Sequence, residues 1–320
     1  MNLAEPPIPL LVIAGPTATG KTEAALQVAE AVGGEIISAD AFQIYRGMAI
    51  GTAQPTPEEQ RRVRFHLIGE RDPRERYTVA HFQNLAAEAA RDSWSRGHLP
   101  IVCGGTGLYL RALLRHYTLP PESAKLTPLL RERLQAQAAA EGPEALHRRL
   151  AEVDPAAAAR ISPNDERRMV RALEVWESTG RALSDWADVD RTPHIRYTVL
   201  AYVLTCPRDL LYERISQRVE VMLRAGWRDE VAALREANLS PELPALRALG
   251  YPTLYEVLEG KLSLEQAQEA IAQETRNFAK RQLTWFRREF GFTWLTWSTA
   301  AERDRLTQHL VSVGQKLSGN

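Results

Sequence analysis

Eight residues near the start of the chain have the types and the spacing of a phosphate-binding loop. In such a loop, backbone N–H groups curl around phosphate oxygens, a lysine adds a full positive charge, and a final hydroxyl can bind Mg²⁺. Residues 15–22 fit the pattern G-x-x-x-x-G-K-[S/T]. We therefore predict a di- or triphosphate site with Thr22 as the metal ligand, formed by Gly15, Pro16, Thr17, Ala18, Thr19, Gly20, Lys21 and Thr22.

A nucleoside triphosphatase would also carry a metal-binding acid at the end of a second strand. The apolar run Pro100–Gly104 continues instead into Gly105-Thr106-Gly107, without a carboxylate. The first acid that follows an apolar run is Asp40. Ligands of doubly wound sheets bind beyond the carboxyl ends of the strands, so we predict that Asp40 and Thr106 face the phosphate loop. The alternative roles for Asp40 are a helix cap and an indirect contact to the metal.

The surroundings of the loop predict the fold. A strand before it, a helix over Thr22–Val32 after it and a second strand form a βαβ unit. We therefore predict an α/β fold, a P-loop-type doubly wound parallel sheet. Its predicted strands are Pro9–Gly15, Glu35–Asp40, Pro100–Gly104, Tyr197–Cys206 and Phe292–Trp297.

The middle of the chain differs, being rich in alanine, arginine and glutamate. Three N-cap residues are followed by proline, at Thr127-Pro128, Asp154-Pro155 and Ser162-Pro163, and indicate helix starts. The expected helices are Leu129–Ala140, Ala156–Ile161 and Asn164–Thr179. We predict an α/β core from residues 1–117 and 194–320, interrupted by an all-helical insertion at residues 118–193. A single continuous fold is the equally supported alternative.

The composition is that of a globular protein. The chain has 320 residues, 44% hydrophobic and 25% charged, with a formal net charge of zero. A nucleic acid would therefore have to bind local basic patches. Cys103 and Cys206 lie in apolar runs, which favours buried thiols over a disulfide framework. Without a signal peptide or a spanning segment, we expect a cytoplasmic protein with no membrane association, and no obligate protein partner is evident.

Segments along nearly the whole chain resemble the tRNA dimethylallyltransferase family. The phosphate loop is the first of them, and Ala41 is a departure, because the family commonly has serine there. The other segments are Ser38–Met48, Gly104–Tyr109, Arg160–Asp165 with Arg167 and Arg168, Ala248–Tyr251 and Lys280–Arg287.

The resemblance implies a reaction. Members transfer the dimethylallyl group of dimethylallyl diphosphate, with Mg²⁺ and without ATP hydrolysis, to the exocyclic amine of the adenosine adjacent (3′) to the anticodon. Asp40 would be the general base, because an adenine amine is a poor nucleophile until its proton is removed. Thr106 would position that amine, and Arg218 would contact the diphosphate.

The resemblance also implies which residues contact the tRNA anticodon arm. At 100° per residue, the basic residues of segment 276–290 share one helix face and its apolar residues share the other, which is typical of a phosphate-docking surface. The implied contacts are Asp40, Ala41, Phe42, Gln43, Thr106, Asn164, Asp165, Glu166, Arg167, Arg168, Arg247, Gly250, Tyr251, Lys280, Arg281, Gln282, Thr284, Trp285 and Arg287.

Three other functions remain open on the sequence. A small-molecule kinase would use the same loop for ATP. An isopentenyltransferase of free adenine nucleotides would share the chemistry without needing the insertion or the basic helix. A nucleotide-gated RNA-binding module would use the same surfaces without catalysis.

Overall fold

The chain forms two compact units in a computed structural model that describes residues 6–115, 120, 128–187, 197–289 and 291–319. The first unit comprises Met1–Leu114 and Ile195–Asn320, and the second comprises Arg115–His194. The side chains of Pro128 and Ala187 lie outside the described part.

The first unit is built on a six-stranded parallel sheet, and the predicted α/β class is confirmed. The strands are β1 (Ile8–Ala14), β2 (Glu35–Ser38), β3 (Phe65–His66), β4 (Pro100–Gly104), β5 (Tyr197–Thr205) and β6 (Phe292–Thr296). Their order in the sheet is β3-β2-β4-β1-β5-β6. The strand β1 pairs with β4 on one side and β5 on the other, so that Leu11 lies beside both Ile101 and Leu200. Five of the six strands were predicted, and the two-residue edge strand was missed.

Successive strand residues point to opposite sides of the sheet, and in β1 the residues on both sides are apolar. Helices therefore cover both faces. Leu10 and Val12 pack into one hydrophobic cluster, and Leu11 and Ile13 pack into another. A short 3₁₀ turn, Pro244–Arg247, precedes the helix that begins at Tyr251. The helices of this unit are α1 (Lys21–Val32), α2 (Pro57–Arg62), α3 (Val79–Ser95), α4 (Gly107–Arg115), α10 (Arg208–Arg224), α11 (Trp227–Glu236), α12 (Tyr251–Leu258), α13 (Leu264–Arg287) and α14 (Ala300–Ser318).

The second unit is helical where it is described and has its own hydrophobic cluster, which includes Leu134, Leu146 and Leu173. The N-cap at Asp154 is confirmed, because its carboxylate accepts from the Ala157 N–H at 2.9 Å. The unit contains α5 (Pro128–Glu141), α6 (Pro143–Val153), α7 (Pro155–Ala158), α8 (Glu166–Thr179) and α9 (Leu183–Ala187).

One predicted helix start in this unit was wrong. Ser162-Pro163 lies in a turn, and α8 begins at Glu166 with Asp165 as its N-cap. The Asp165 carboxylate accepts from the Arg168 N–H at 3.2 Å, so this nearer carboxylate caps the helix. Thr127, the third predicted cap, lies outside the described residues.

None of the helices in the described ranges combines the length and the apolar character needed to cross a membrane.

Candidate functional site

The loop after β1 has the backbone of a phosphate-binding loop. Gly15 has φ 142°, and a Cβ there would lie 2.3 Å from the Leu204 carbonyl oxygen, so only glycine fits between the loop and β5. Ala18 (φ 64°) and Gly20 (φ 86°) are left-handed, and α1 begins directly afterwards at Lys21. Alternation of backbone conformation before a helix N-terminus forms a concave set of N–H donors for an anion.

Side chains from distant elements hold the outside of this loop. Arg214 of α10 donates from Nε to the Ala18 carbonyl at 2.8 Å. Trp297, which follows β6, donates from its indole N–H to the Thr19 carbonyl at 3.3 Å. The Arg214 guanidinium also lies over the Trp297 ring, 5.0 Å from its centroid. The loop is therefore held by residues that are far from it in the sequence.

Gln282 of α13 contacts the same loop from another direction. Its amide oxygen accepts from the Thr17 N–H at 3.0 Å, and its amide nitrogen donates to the Gly105 carbonyl at 2.9 Å. Only 7% of Gln282 is exposed. The implied contact of Gln282 with RNA stays a prediction, and its amide is already bonded to protein on both sides.

Asp40 follows β2 and shares the cleft with the loop's lysine and with Arg218 of α10. Desolvation by the surrounding protein raises the pKa of Asp40, while the positive charges of Lys21 and Arg218 oppose that shift. Desolvation lowers the pKa of Lys21 to about 8. Desolvation also lowers the pKa of Arg218, and the negative charge of Asp40 opposes this shift. Part of Arg218 nevertheless remains accessible to solvent. The site thus concentrates two cations and one carboxylate.

The segment after Asp40 is a tight turn. Asp40 Oδ1 accepts from the Phe42 N–H at 2.9 Å and from the Gln43 N–H at 3.3 Å. Gln43 donates to the Thr52 and Ala53 carbonyls and accepts from the Ser38 hydroxyl. Its amide is therefore occupied in holding the turn. Phe42 and Ala41 are half-buried against the larger hydrophobic cluster.

Thr106 lies at the end of the neighbouring strand β4, as expected, and is half-buried. Its backbone N–H donates to the Ala39 carbonyl at 3.2 Å, which ties this loop to the residue before Asp40. The Thr106 carbonyl accepts from the N–H groups of Tyr109 and Leu110, which lie in the first turn of α4. The fold therefore brings the loops bearing Lys21, Asp40 and Thr106 to one edge of the sheet.

The outer face of α13 is exposed and basic, as predicted. We define this basic face as Lys280, Arg281, Thr284 and Arg287, all of which are exposed, whereas Ala279 and Phe286 are completely buried. Within the described residues, neither the lysine nor the arginines of this face form an ion pair with an acid. The nearby Glu289 is instead paired with Arg111.

Trp285 of the same helix is only half-buried. The Arg111 guanidinium lies over its ring, 4.9 Å from the centroid. Trp285 therefore helps to dock α4 on α13 and keeps part of its ring accessible.

The segment at 247–251 is divided between surface and interior. Arg247 is exposed and pairs with Glu242 at 3.0 Å. Gly250 and Tyr251 are buried, and the Tyr251 hydroxyl donates to Glu230 Oε1 at 2.8 Å. The implied contact of Tyr251 with RNA stays a prediction, and its side chain is completely buried in this structure.

Glu230 of α11, which the sequence analysis missed, explains this arrangement. Its carboxylate accepts from the backbone N–H groups of Ile50 and Gly51 at 2.7 and 3.0 Å, in addition to the tyrosine hydroxyl. It thereby anchors the far end of the segment that begins at Asp40. The helix α11 carries several acidic residues, and its sequence does not indicate that Glu230 alone accepts these hydrogen bonds.

In the second unit, the residues that the resemblance implicates lie at the start of α8. Asn164, Glu166, Arg167 and Arg168 are exposed, and Asp165 caps the helix and also pairs with Arg168 at 3.1 Å.

Few protein groups at the site could bind a metal ion. The described residues contain no cluster of three or more His, Cys, Asp or Glu side chains able to hold one. Thr22 lies near the buried Cys103 thiol, and desolvation raises the pKa of that thiol to about 11. The single hydroxyl of Thr22 fits Mg²⁺, because this ion keeps several waters and binds largely through substrate phosphates.

The parallel sheet, the glycine-rich loop before α1 and the charged cleft at the carboxyl ends of the strands define a P-loop α/β protein. The family model described as IPP transferase matches residues 43–289. The chain therefore belongs to the IPP transferase family and is a transferase.

Individual relatives agree with this assignment. The chain is 45% identical over 303 residues to a tRNA dimethylallyltransferase of Pelotomaculum thermopropionicum, covering 95% of both chains. The full-length tRNA isopentenylpyrophosphate transferase of Bacillus halodurans is similar in structure, with a TM-score of 0.68, 36% identity and coverage of 98% of this chain and 100% of that one. A eukaryotic dimethylallyltransferase acting on tRNA has a TM-score of 0.80 and 26% identity, over 97% of this chain and 80% of its own.

Proposed function

We propose that this protein transfers a dimethylallyl group from dimethylallyl diphosphate to the exocyclic amine of the adenosine adjacent (3′) to the anticodon in tRNA, releasing pyrophosphate. The observation that carries the proposal is the position of Asp40, a carboxylate with a raised pKa, at the sheet edge that also bears the phosphate loop and Thr106. The names of the relatives support the same reaction.

Asp40 acts as the general base. The amine nitrogen forms a bond to the allylic carbon, the bond from that carbon to the diphosphate oxygen breaks, and the amine proton moves to Asp40. A raised pKa favours proton acceptance, because a base is most effective when its pKa approaches the working pH. The Thr106 side chain, at the neighbouring strand end, positions the amine.

The phosphate loop, Gly15–Thr22, binds the diphosphate and stabilises it as it leaves. Lys21 and Arg218 supply positive charge where negative charge develops on the departing oxygen. Thr22 is the protein ligand of Mg²⁺, which supplies further charge neutralisation when bound. Because the phosphates belong to the prenyl donor, ATP is not consumed.

The anticodon arm binds surfaces that surround the cleft. The exposed cations of the basic face contact the RNA backbone, and the target base is extruded from the loop to reach Asp40. Phe42 offers a partly exposed ring for stacking on a base. Arg247 provides a further RNA contact in the first unit. The exposed residues 164 and 166–168 provide a separate RNA contact in the helical insertion. The protein acts in the cytoplasm, where its RNA substrate occurs.

A transfer assay tests the proposal. Wild-type protein, labelled dimethylallyl diphosphate, Mg²⁺ and an anticodon stem-loop are expected to give labelled RNA and one pyrophosphate per transfer. A stem-loop with guanosine at the target position is the matched control and is expected to remain unlabelled.

Three other outcomes would contradict the proposal. Preferential labelling of AMP or ADP added as competing acceptors would indicate an isopentenyltransferase of free nucleotides. Stoichiometric ADP release from ATP would indicate a kinase. RNA binding without any transfer would indicate a binding module.

A further inference from the structure

Gln282 is a buried polar residue whose amide joins two loops that are far apart in the sequence. The Thr17 N–H donates to its oxygen at 3.0 Å, and its nitrogen donates to the Gly105 carbonyl at 2.9 Å. The first partner belongs to the phosphate loop after β1. The second belongs to the loop after β4, one residue before Thr106.

Close approach makes this contact specific. A Cβ at Gly105 would lie 2.3 Å from the Gln282 nitrogen and 3.1 Å from the Gly15 carbonyl oxygen. The amide therefore occupies space that any other residue at position 105 would require. The two loops also need one donor and one acceptor, which an uncharged amide supplies together.

A second contact extends the connection to Asp40. The Thr106 N–H donates to the Ala39 carbonyl at 3.2 Å. Contacts therefore run from Thr17 through Gln282 and Gly105 to Thr106, and onward to the residue before Asp40. The path joins the loop proposed to hold the leaving group with the residues proposed to hold the attacking amine.

We propose that Gln282 is a positioning residue, which sets the separation between the phosphate loop and the loop that carries Thr106. The inference rests on the proposed function for its effect on catalysis. Displacement transfer requires the attacking and leaving atoms to be aligned, and an error of about 1 Å can cost about 100-fold in rate. A rigid link between the two loops provides that alignment.

Burial argues against a direct contact with RNA. Gln282 is 7% exposed, while its neighbours Lys280 and Arg281 are exposed. Gln282 lies three residues after Ala279 and four before Phe286, so it shares the buried face of α13 with them. The helix therefore presents cations outward and one amide inward.

Two substitutions in the full-length chain test the proposal. Gln282→Met removes both hydrogen bonds, and Gln282→Glu retains an acceptor for Thr17 but places a carboxylate against the Gly105 carbonyl. We expect kcat to fall by about 10- to 100-fold in each variant. The dissociation constant for the stem-loop and its salt dependence are expected to stay close to those of the wild type.

Amide hydrogen exchange in the ligand-free protein provides a readout that is independent of catalysis. In Gln282→Met, peptides covering both 15–22 and 104–110 should exchange faster. In Gln282→Glu, the increase should be confined to 104–110. The control is Thr275→Val on the same helix, whose buried hydroxyl donates only within α13, to the Ile271 carbonyl at 2.7 Å; it should leave both peptides and kcat unchanged.

Two results would overturn the proposal. One is weakened RNA binding with an unchanged kcat at saturating RNA, which would make Gln282 a direct RNA contact. The other is unchanged exchange in both loops of Gln282→Met. If the wild-type protein transferred no prenyl group, the proposed function would fail, and the exchange pattern would still decide whether Gln282 joins the loops.

Discussion

The phosphate loop and the basic face of α13 are both cationic, yet they are built in opposite ways. The loop is held from outside by Arg214, Gln282 and Trp297, and the pKa of its lysine is lowered to about 8. The basic face is exposed, and none of its cations is paired with an acid in the described part of the chain.

This difference determines how each region responds to change. In a desolvated site a single charge interacts strongly with its ligand. When that charge is removed, the rigid site cannot rearrange to replace the lost interaction. On an exposed face the charges are screened by salt, and several of them share one role. We therefore expect large effects from single substitutions in the cleft and small, salt-dependent effects on the helix.

The largest effect is expected for Asp40→Asn. The amide oxygen can still accept from the Phe42 and Gln43 N–H groups, so the turn should persist while the base is lost. We expect kcat to fall by about 10²- to 10⁴-fold, measured by single-turnover transfer at saturating substrates. Unaltered folding and substrate affinity are the control, and a near-normal single-turnover rate would remove Asp40 from the base role.

The raised pKa of Asp40 also predicts the direction of a pH dependence. Only the carboxylate accepts a proton, so kcat should decline as the pH falls through that pKa. Because the pKa is raised, the decline begins at a higher pH than for an ordinary aspartate. A pH series of single-turnover rates measures it, and a rate that stayed constant down to the pKa of an ordinary aspartate would contradict it.

A smaller effect is expected for Lys21→Met. Removing a charge-assisted hydrogen bond to phosphate should weaken binding of pyrophosphate by about 10- to 100-fold at pH 7, while stem-loop binding changes little. Titration calorimetry measures both affinities. Abolished RNA binding in this variant would show that the two surfaces are not separate.

The lysine's lowered pKa gives this comparison a pH signature. In the ligand-free wild type, Lys21 loses its proton as the pH rises above about 8. Pyrophosphate favours the protonated lysine, so binding slightly above that pH should take up a proton, and affinity should fall as the pH rises further. Calorimetry in buffers of different ionisation enthalpy detects the uptake, which Lys21→Met should lack.

The smallest effect per substituted residue is expected on the basic face, so three residues are replaced together. Replacing Lys280, Arg281 and Arg287 with glutamine should weaken RNA binding and reduce the slope of log K against log salt. The reduction should be about 0.7–0.9 for each phosphate that the variant no longer neutralises. Melting temperature and pyrophosphate affinity should hold, because exposed charges contribute little to stability.

The matched control is a second triple variant, which loses the same three positive charges at positions away from the basic face. Glutamine at the exposed positions Arg61, Arg305 and Lys316 should leave the salt slope unchanged. If both triple variants behaved alike, the basic face would be an ordinary solvated surface.

The sheet could be predicted from the sequence because a strand buried on both faces must be apolar throughout. Ile8–Ala14 and Pro100–Gly104 show this pattern directly. The outer face of α13 was also predictable, since helical periodicity separates its cations from its apolar residues. Helix α14 was missed, although Thr299 and Glu302 form a capping box that was visible in the sequence.

Other features could not be predicted, because they depend on contacts across long sequence separations. Glu230 is one of several acids on α11, and only the fold brings it to the Ile50 and Gly51 N–H groups. A resemblance identifies a segment but does not distinguish its exposed side chains from its buried ones, so the burial of Tyr251 could not be predicted from it. Gln282 gave a partial signal, as a polar residue on the apolar face of its helix.

The central position of β1 has a consequence for the nascent chain. This strand leaves the ribosome before both of its neighbours in the sheet, β4 and β5, and β5 begins only at Tyr197. Until that residue emerges, one edge of an apolar strand lacks its partner, and such an edge is prone to association with other chains. The helical insertion lengthens this interval by its own translation time. Arg214, Gln282 and Trp297 emerge later still, so the phosphate loop acquires its final geometry only after Trp297 has been synthesised.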